Sequence, residues 1–169
     1  MRRYLALAAA ALAAGAATGQ VDTFAFMPDG GRGLFVRAFP DPADQRDALS
    51  RSGSAEDWQA ALATSGLTQN ETATLAAYLS HVTPIDAKSP IETLPPDGCD
   101  LALAQCQSCH SLFSGYLMQR RDRNGWLVIF ASPFHKDIPM SQTEREIFAD
   151  YSAINMPMRV EDVPPEMRF

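Results

Sequence analysis

Cys106-Gln107-Ser108-Cys109-His110 sets two thiols three residues apart, with an imidazole directly after the second. Paired cysteines at this spacing serve a dithiol redox couple, half of a zinc site, or the covalent attachment of haem. A zinc site needs further pairs of cysteine or histidine ligands, and the chain offers only Cys99, His81 and His135 besides, scattered along its length. The histidine after the second cysteine makes the stretch C-x-x-C-H, the attachment motif of c-type haem. In that reading Cys106 and Cys109 add across the porphyrin vinyl groups from one turn of helix. His110 is then the proximal iron ligand.

The flanks extend the pattern. Asp97-Gly98 opens an apolar stretch that runs as a helix into the motif. A second helix is expected over residues 141–151. Ser141 and Glu144 form an S-x-x-E capping box at its start, and Pro157 lies beyond its end. Over roughly residues 96–158 the chain resembles the cytochrome c superfamily. The resemblance implies an all-α fold, one covalently bound haem c, and electron transfer without chemistry on a substrate.

The first half repeats the second. Pro28-Asp29-Gly30 matches Pro96-Asp97-Gly98 at an offset of 68, and Trp58 matches Trp126 at the same offset. Farther on, Leu67-Thr68-Gln69-Asn70-Glu71 matches Met140-Ser141-Gln142-Thr143-Glu144 at an offset of 73, as do Tyr78 with Tyr151 and Pro84 with Pro157. The second copy is therefore five residues longer between Trp126 and Met140. At an offset of 68 the haem residues fall on Ala38, Asp41 and Pro42, which cannot hold haem. The expected architecture is two tandem cytochrome c-like units, the first without haem, as in a shortened relative of di-haem cytochromes. Phe24, Phe26, Leu34, Phe35, Phe39 and Trp58 are expected to fill the haemless unit by core packing. The organisation expected is a signal peptide at 1–19, the haemless unit at 20–86, a proline-rich linker at 87–95 and the haem domain at 96–169.

The distal ligand is open between His135, Met140, Met156 and Met158. Met140 and Met158 align with Leu67 and Ile85 of the haemless copy, positions that are apolar for packing alone. His135 lies in or beside the five-residue insertion peculiar to the haem-bearing copy. The stretch from Arg121 to His135 also resembles the haem domains of quinohaemoprotein amine dehydrogenase, whose bis-histidine ligation implies His135 here. His135 is the expected distal ligand, Met140 the alternative, and Met156 an outsider. Arg120, Arg121 and Arg123 are candidates to pair with haem propionates. His81 is expected to be structural, at a helix C-terminus where the dipole favours it. Cys99 is expected to remain a free or buried thiol.

Residues 1–19 read as an export signal: Arg2 and Arg3, then an apolar run at 4–14, then small residues. The run is far short of the roughly 20 residues that span a bilayer. Removing Arg2 and Arg3 takes the formal charge from −6 to −8, which argues against nucleic acid as a partner. The expectation is a periplasmic mono-haem cytochrome that meets redox partner proteins, as a free carrier or as a dehydrogenase subunit. A haem-based sensor and a structural subunit of a redox complex are the alternatives. The tail after Met158, with Val163-Pro164-Pro165, is expected to lie extended.

Overall fold

The structure, a computed structural model, describes residues 23–86, 94–107 and 109–169. The expected signal at 1–19 and most of the expected linker at 87–95 lie outside the described residues. Within them the chain forms α1 (Gly31–Ala38), α2 (Pro42–Ser50), α3 (Ala55–Ala61) and α4 (Gln69–Val82). After the break come α5 (Gly98–Gln105), a π-helical turn (Phe113–Leu117), α6 (Arg123–Ile129) and α7 (Gln142–Asn155). The described residues contain no strand, so the all-α expectation holds.

Local chemistry starts most of these helices. Ser54, Thr68, Asp97 and Ser141 each form a reciprocal capping box with the acid three residues on. Asp41, ahead of Pro42, caps α2, and Asp122 caps α6. Gly30 begins α1 without a side-chain cap. Its exposed donors are served from outside the helix: Asp97 Oδ2 accepts from the Arg32 N–H at 2.8 Å, while Oδ1 accepts from Cys99 and Asp100 at 3.0 Å each. One carboxylate thus caps two helices. The approach is so close that a Cβ at Gly30 would lie 2.1 Å from Asp97 Oδ1. Burial raises the Asp97 pKa, against the lowering pull of its backbone donors.

The long helices α4 and α7 pack on each other; α1 and α3 lie against α4, and α5 and α6 against α7. Gly31 meets Tyr78 so closely that a Cβ would stand 2.3 Å from the ring, and Gly98 meets Tyr151 in the same way at 2.1 Å from its Cβ. The two phenols then cross over. Tyr78 donates to the Pro95 carbonyl ahead of α5, at 2.6 Å, and Tyr151 donates to the Pro28 carbonyl ahead of α1, at 2.7 Å. The backbone N–H of Ile85 donates to Leu49, and that of Met158 to Leu117, at 2.8 and 2.9 Å.

Several expectations need correcting. α1 and α5 begin 67 residues apart and not the 68 of the Pro-Asp-Gly match, and it is Gly31, not Gly30, that makes the tight crossing on a tyrosine. α5 stops at Gln105 and Cys106 is its C-cap, so the two thiols lie on a bend and not on one turn of helix. α7 continues past 151 to Asn155 before Pro157 ends it. The tail is not extended. It folds into 3₁₀ turns at Val160–Asp162 and Pro165–Met167, buries Val163 completely, and accepts a hydrogen bond from the Ser111 hydroxyl at the Phe169 carbonyl. His81 lies in the last turn of α4, as expected, and its Nε2 is also 2.7 Å from Asp150, which binds Arg123 at 2.7 Å. Of the expected first-half core, Leu34, Phe35 and Trp58 are buried, while Phe24, Phe26 and Phe39 are partly buried against it.

The glycine contacts give a paired test. Gly98→Ala should destabilise the fold by about 1–3 kcal/mol through overpacking on Tyr151. Gly33→Ala, with nothing within 4 Å of the new methyl, should stabilise it by about 0.5–1 kcal/mol through helix propensity. Urea unfolding midpoints of the two variants decide both.

Candidate functional site

A cavity of about 800 Å³ opens between the end of α5, the π-helical turn, α6, α7 and the loop joining the last two helices. It falls in the upper part of the range of roughly 300–1,000 Å³ typical of small-molecule sites. Cys106, Cys109 and His110 line it from the motif, Tyr116, Trp126 and Phe148 from the packed aromatic core, and Phe134, His135 and Met140 from the loop. The three aromatic rings of the core lie 5.3 to 5.8 Å apart, centroid to centroid.

His110 is held by the absence of a side chain beneath it. A Cβ at Gly115, in the π-helical turn, would lie 2.1 Å from His110 Nδ1 and 2.3 Å from Cε1. Nδ1 of His110 is 3.3 Å from the Ser111 carbonyl, and Nδ1 of His135 is 2.8 Å from the Ser132 hydroxyl. In both rings the engaged nitrogen is Nδ1, which reserves Nε2 for another partner, the arrangement that metal-bound histidines use. The two ring centroids are 6.4 Å apart. With metal–nitrogen bonds of about 2.0–2.1 Å and roughly 1.1 Å from ring atom to centroid, two imidazoles sharing one metal would put their centroids ~6.3 Å apart.

Met140, buried, lines the same cavity, so both leading distal candidates stand at one site. Met156 is buried at the C-cap of α7, and neither it nor Met158 belongs to the cavity lining. Of the three arginines, Arg121 lines the cavity with its guanidinium 5.7 Å from the Trp126 ring centroid. Arg123 is engaged by Asp150, and Arg120 is exposed.

No disulfide joins the described thiols, and burial pushes Cys106 up to about 12. A dithiol redox couple needs the opposite, a thiol lowered toward neutrality. Among the described residues no cluster of three or more His, Cys, Asp or Glu is arranged to hold a bare metal ion. A haem asks for different things: two thiols at attachment spacing, an axial imidazole, an apolar slot, and donors for the propionates. The slot and the paired imidazoles meet the first three requirements. For the fourth, Trp126 Nε1 is buried on the cavity wall without a hydrogen-bond partner, beside Arg121. The residues present fit the group.

No family model matches this chain, and neither a curated protein nor a solved structure does. The assignment of the site therefore rests on its own chemistry.

Sequence reasoning brought Cys106, Cys109, His110, His135 and Met140 to this place and missed two contributors. Gly115 had no signal, because its role depends on which ring packs against it. Trp126 was visible only as a repeat marker, since an unpartnered N–H exists only once its surroundings are built.

Two measurements bear on the geometry. Gly115→Ala should displace the His110 imidazole and convert haem-bearing protein from low-spin to high-spin in its visible spectrum, whereas Gly33→Ala should leave the spectrum unchanged. Burial pushes the Cys99 thiol up to about 11, leaving on the order of one part in a thousand as thiolate at pH 8. A thiol assay of the haem-bearing protein should thus read almost nothing in the native state and one thiol after denaturation, against three if Cys106 and Cys109 carry no haem.

Proposed function

We propose that this chain is an exported, mono-haem c-type cytochrome that transfers electrons between periplasmic partners, as a carrier or as the cytochrome subunit of a dehydrogenase. The observation that supports it most is the convergence, on one apolar cavity, of the attachment thiols and two imidazoles at the spacing of a shared metal. Cys106 and Cys109 would hold the haem by thioethers, and His110 and His135 would ligate it. Bound there, haem supplies one-electron chemistry.

The surrounding residues do the positioning. Ser132 Oγ engages Nδ1 of His135 at 2.8 Å and so would leave Nε2 to the metal side. Gly115 lets the His110 ring lie flat against the π-helical turn. Trp126 Nε1 offers a donor, and Arg121 a charge, to the propionates. Tyr116, Phe130, Trp126 and Phe148 would keep water from a haem held in this cavity. A second imidazole gives a lower potential than a methionine sulfur in the same place. The acidic surface favours partners that present a basic face.

We further propose that residues 24–86 are a haemless copy of the haem-bearing unit. Equal helix lengths support it: eight residues in α1 and α5, seven in α3 and α6, fourteen in α4 and α7. The matched glycine–tyrosine crossings and the matched hydrogen bonds to Leu49 and Leu117 support it independently.

The test is the visible spectrum of haem-bearing protein in both redox states, with the His135→Ala variant alongside. A low-spin parent that turns high-spin in the variant is the expected result. A parent with the far-red ferric charge-transfer band of a methionine–iron bond would move the distal role to Met140. A parent that is already high-spin would favour ligand binding over electron transfer.

A further inference from the structure

The loop between α6 and α7 carries His135, and its own backbone bonds are short-range. His135 and Lys136 donate to Ser132, Ile138 donates to His135, and Met140 to Ile138. These turns shape the segment without attaching it to the helices. The attachment comes from Arg145, in the second turn of α7. Its Nη2 donates to the carbonyls of Lys136 at 3.0 Å and Ile138 at 3.2 Å, and its Nε donates to the carbonyl of Met140 at 3.1 Å. The guanidinium also stands 4.9 Å from the centroid of Phe130, at the other end of the loop.

Two features mark this arrangement as specific to the site. A cation four residues into a helix works against the helix dipole, so α7 alone gives no reason for an arginine there. Among the described residues no carboxylate forms an ion pair with it. The corresponding position in the first half, at the offset of 73, is Thr72, where the connection between the matched helices is five residues shorter and has no histidine. The arginine and the long loop occur in the same half.

Resting on the reading of His135 as distal ligand, we propose that Arg145 is the positioning residue of the distal side. It fixes three loop carbonyls to α7 and thereby keeps the His135 imidazole opposite His110. Only a planar fork serves several carbonyls at once; a lysine ammonium keeps the charge and loses that geometry.

The experiment uses the full haem-bearing protein as parent, Arg145→Ala, Arg145→Lys and His135→Ala, with helix content by circular dichroism as a check on folding. Ferric spin state and the affinity for added imidazole are read in each. The expected result is a low-spin parent that resists imidazole, and an Arg145→Ala protein with parental helix content and partly high-spin iron. That variant should bind imidazole roughly tenfold or more tightly than the parent and return to low spin on doing so, reflecting the loss of several charge-assisted hydrogen bonds. Arg145→Lys should fall between. If His135→Ala becomes high-spin while Arg145→Ala keeps the parental spin state and imidazole affinity, the proposal is overturned and the reading of His135 stands. If His135→Ala stays low-spin, the reading of His135 fails and the proposal with it. Should Arg145→Ala lose its helices, an unchanged imidazole affinity in Arg145→Lys overturns the proposal.

Discussion

The closeness with which α5 crosses α7 controls the rest of the molecule. Gly98 lies against Tyr151 with no room for a methyl group between them, so two backbones approach as nearly as a ring allows. The end of α5, and with it Cys106, is then fixed relative to every side chain of α7. Phe148 of that helix forms part of the cavity wall, Tyr151 reaches across to Pro28, and Ser152 holds the buried hydroxyl of Tyr116 at 2.9 Å. A cavity with Cys106 at the end of one helix and His135 on the loop leading to another stays in register because both are referred to this one crossing.

Polar groups then tie the two halves together, and their magnitudes show what they are for. Asp97 is buried and shared between the starts of α1 and α5. Its pKa is raised by burial in spite of the backbone N–H groups that oppose the shift. Desolvation therefore outweighs the hydrogen bonds in setting the direction of the shift. What the carboxyl supplies is registration, because no apolar side chain would satisfy the donors at both helix starts. Asp150 plays a comparable part nearer the surface by accepting from His81 of α4 and Arg123 of α6 at once.

The sequence was most legible where the cause is local. Capping boxes at Thr68 and Ser141, glycine and proline punctuation, and the motif itself are each written within a few residues, and those helices begin where the caps require. The register of α1 was misread because identical letters, Pro-Asp-Gly, were matched when packing depends on which glycine meets the tyrosine. The course of the tail was misread because Val163 is buried by distant partners and not by its proline neighbours. Gly115 and Arg145 lay beyond sequence reasoning altogether. One works through the empty space above it, and the other through carbonyls whose direction no residue type encodes.

The two tryptophans show how packing and hydrogen bonding weigh against each other at a buried indole. Trp58 and Trp126 occupy matching helices, each with a buried Nε1 and no acceptor, and each with an arginine 5.2 or 5.7 Å from its ring. An unpaired buried N–H costs about 1–3 kcal/mol. In the second half a propionate would remove that cost. At the α1–α5 offset of 67 the first half holds Phe39, Pro42 and Ala43 where the second holds Cys106, Cys109 and His110, so nothing of the kind is due there. Replacing a buried tryptophan by alanine, however, costs about 3–5 kcal/mol of packing, more than the stranded N–H. The indole of Trp58 is 2 % exposed and belongs to the same continuous core as Leu34, Phe35 and Leu75. On that balance packing alone accounts for the side chain at 58, with its N–H unpaired.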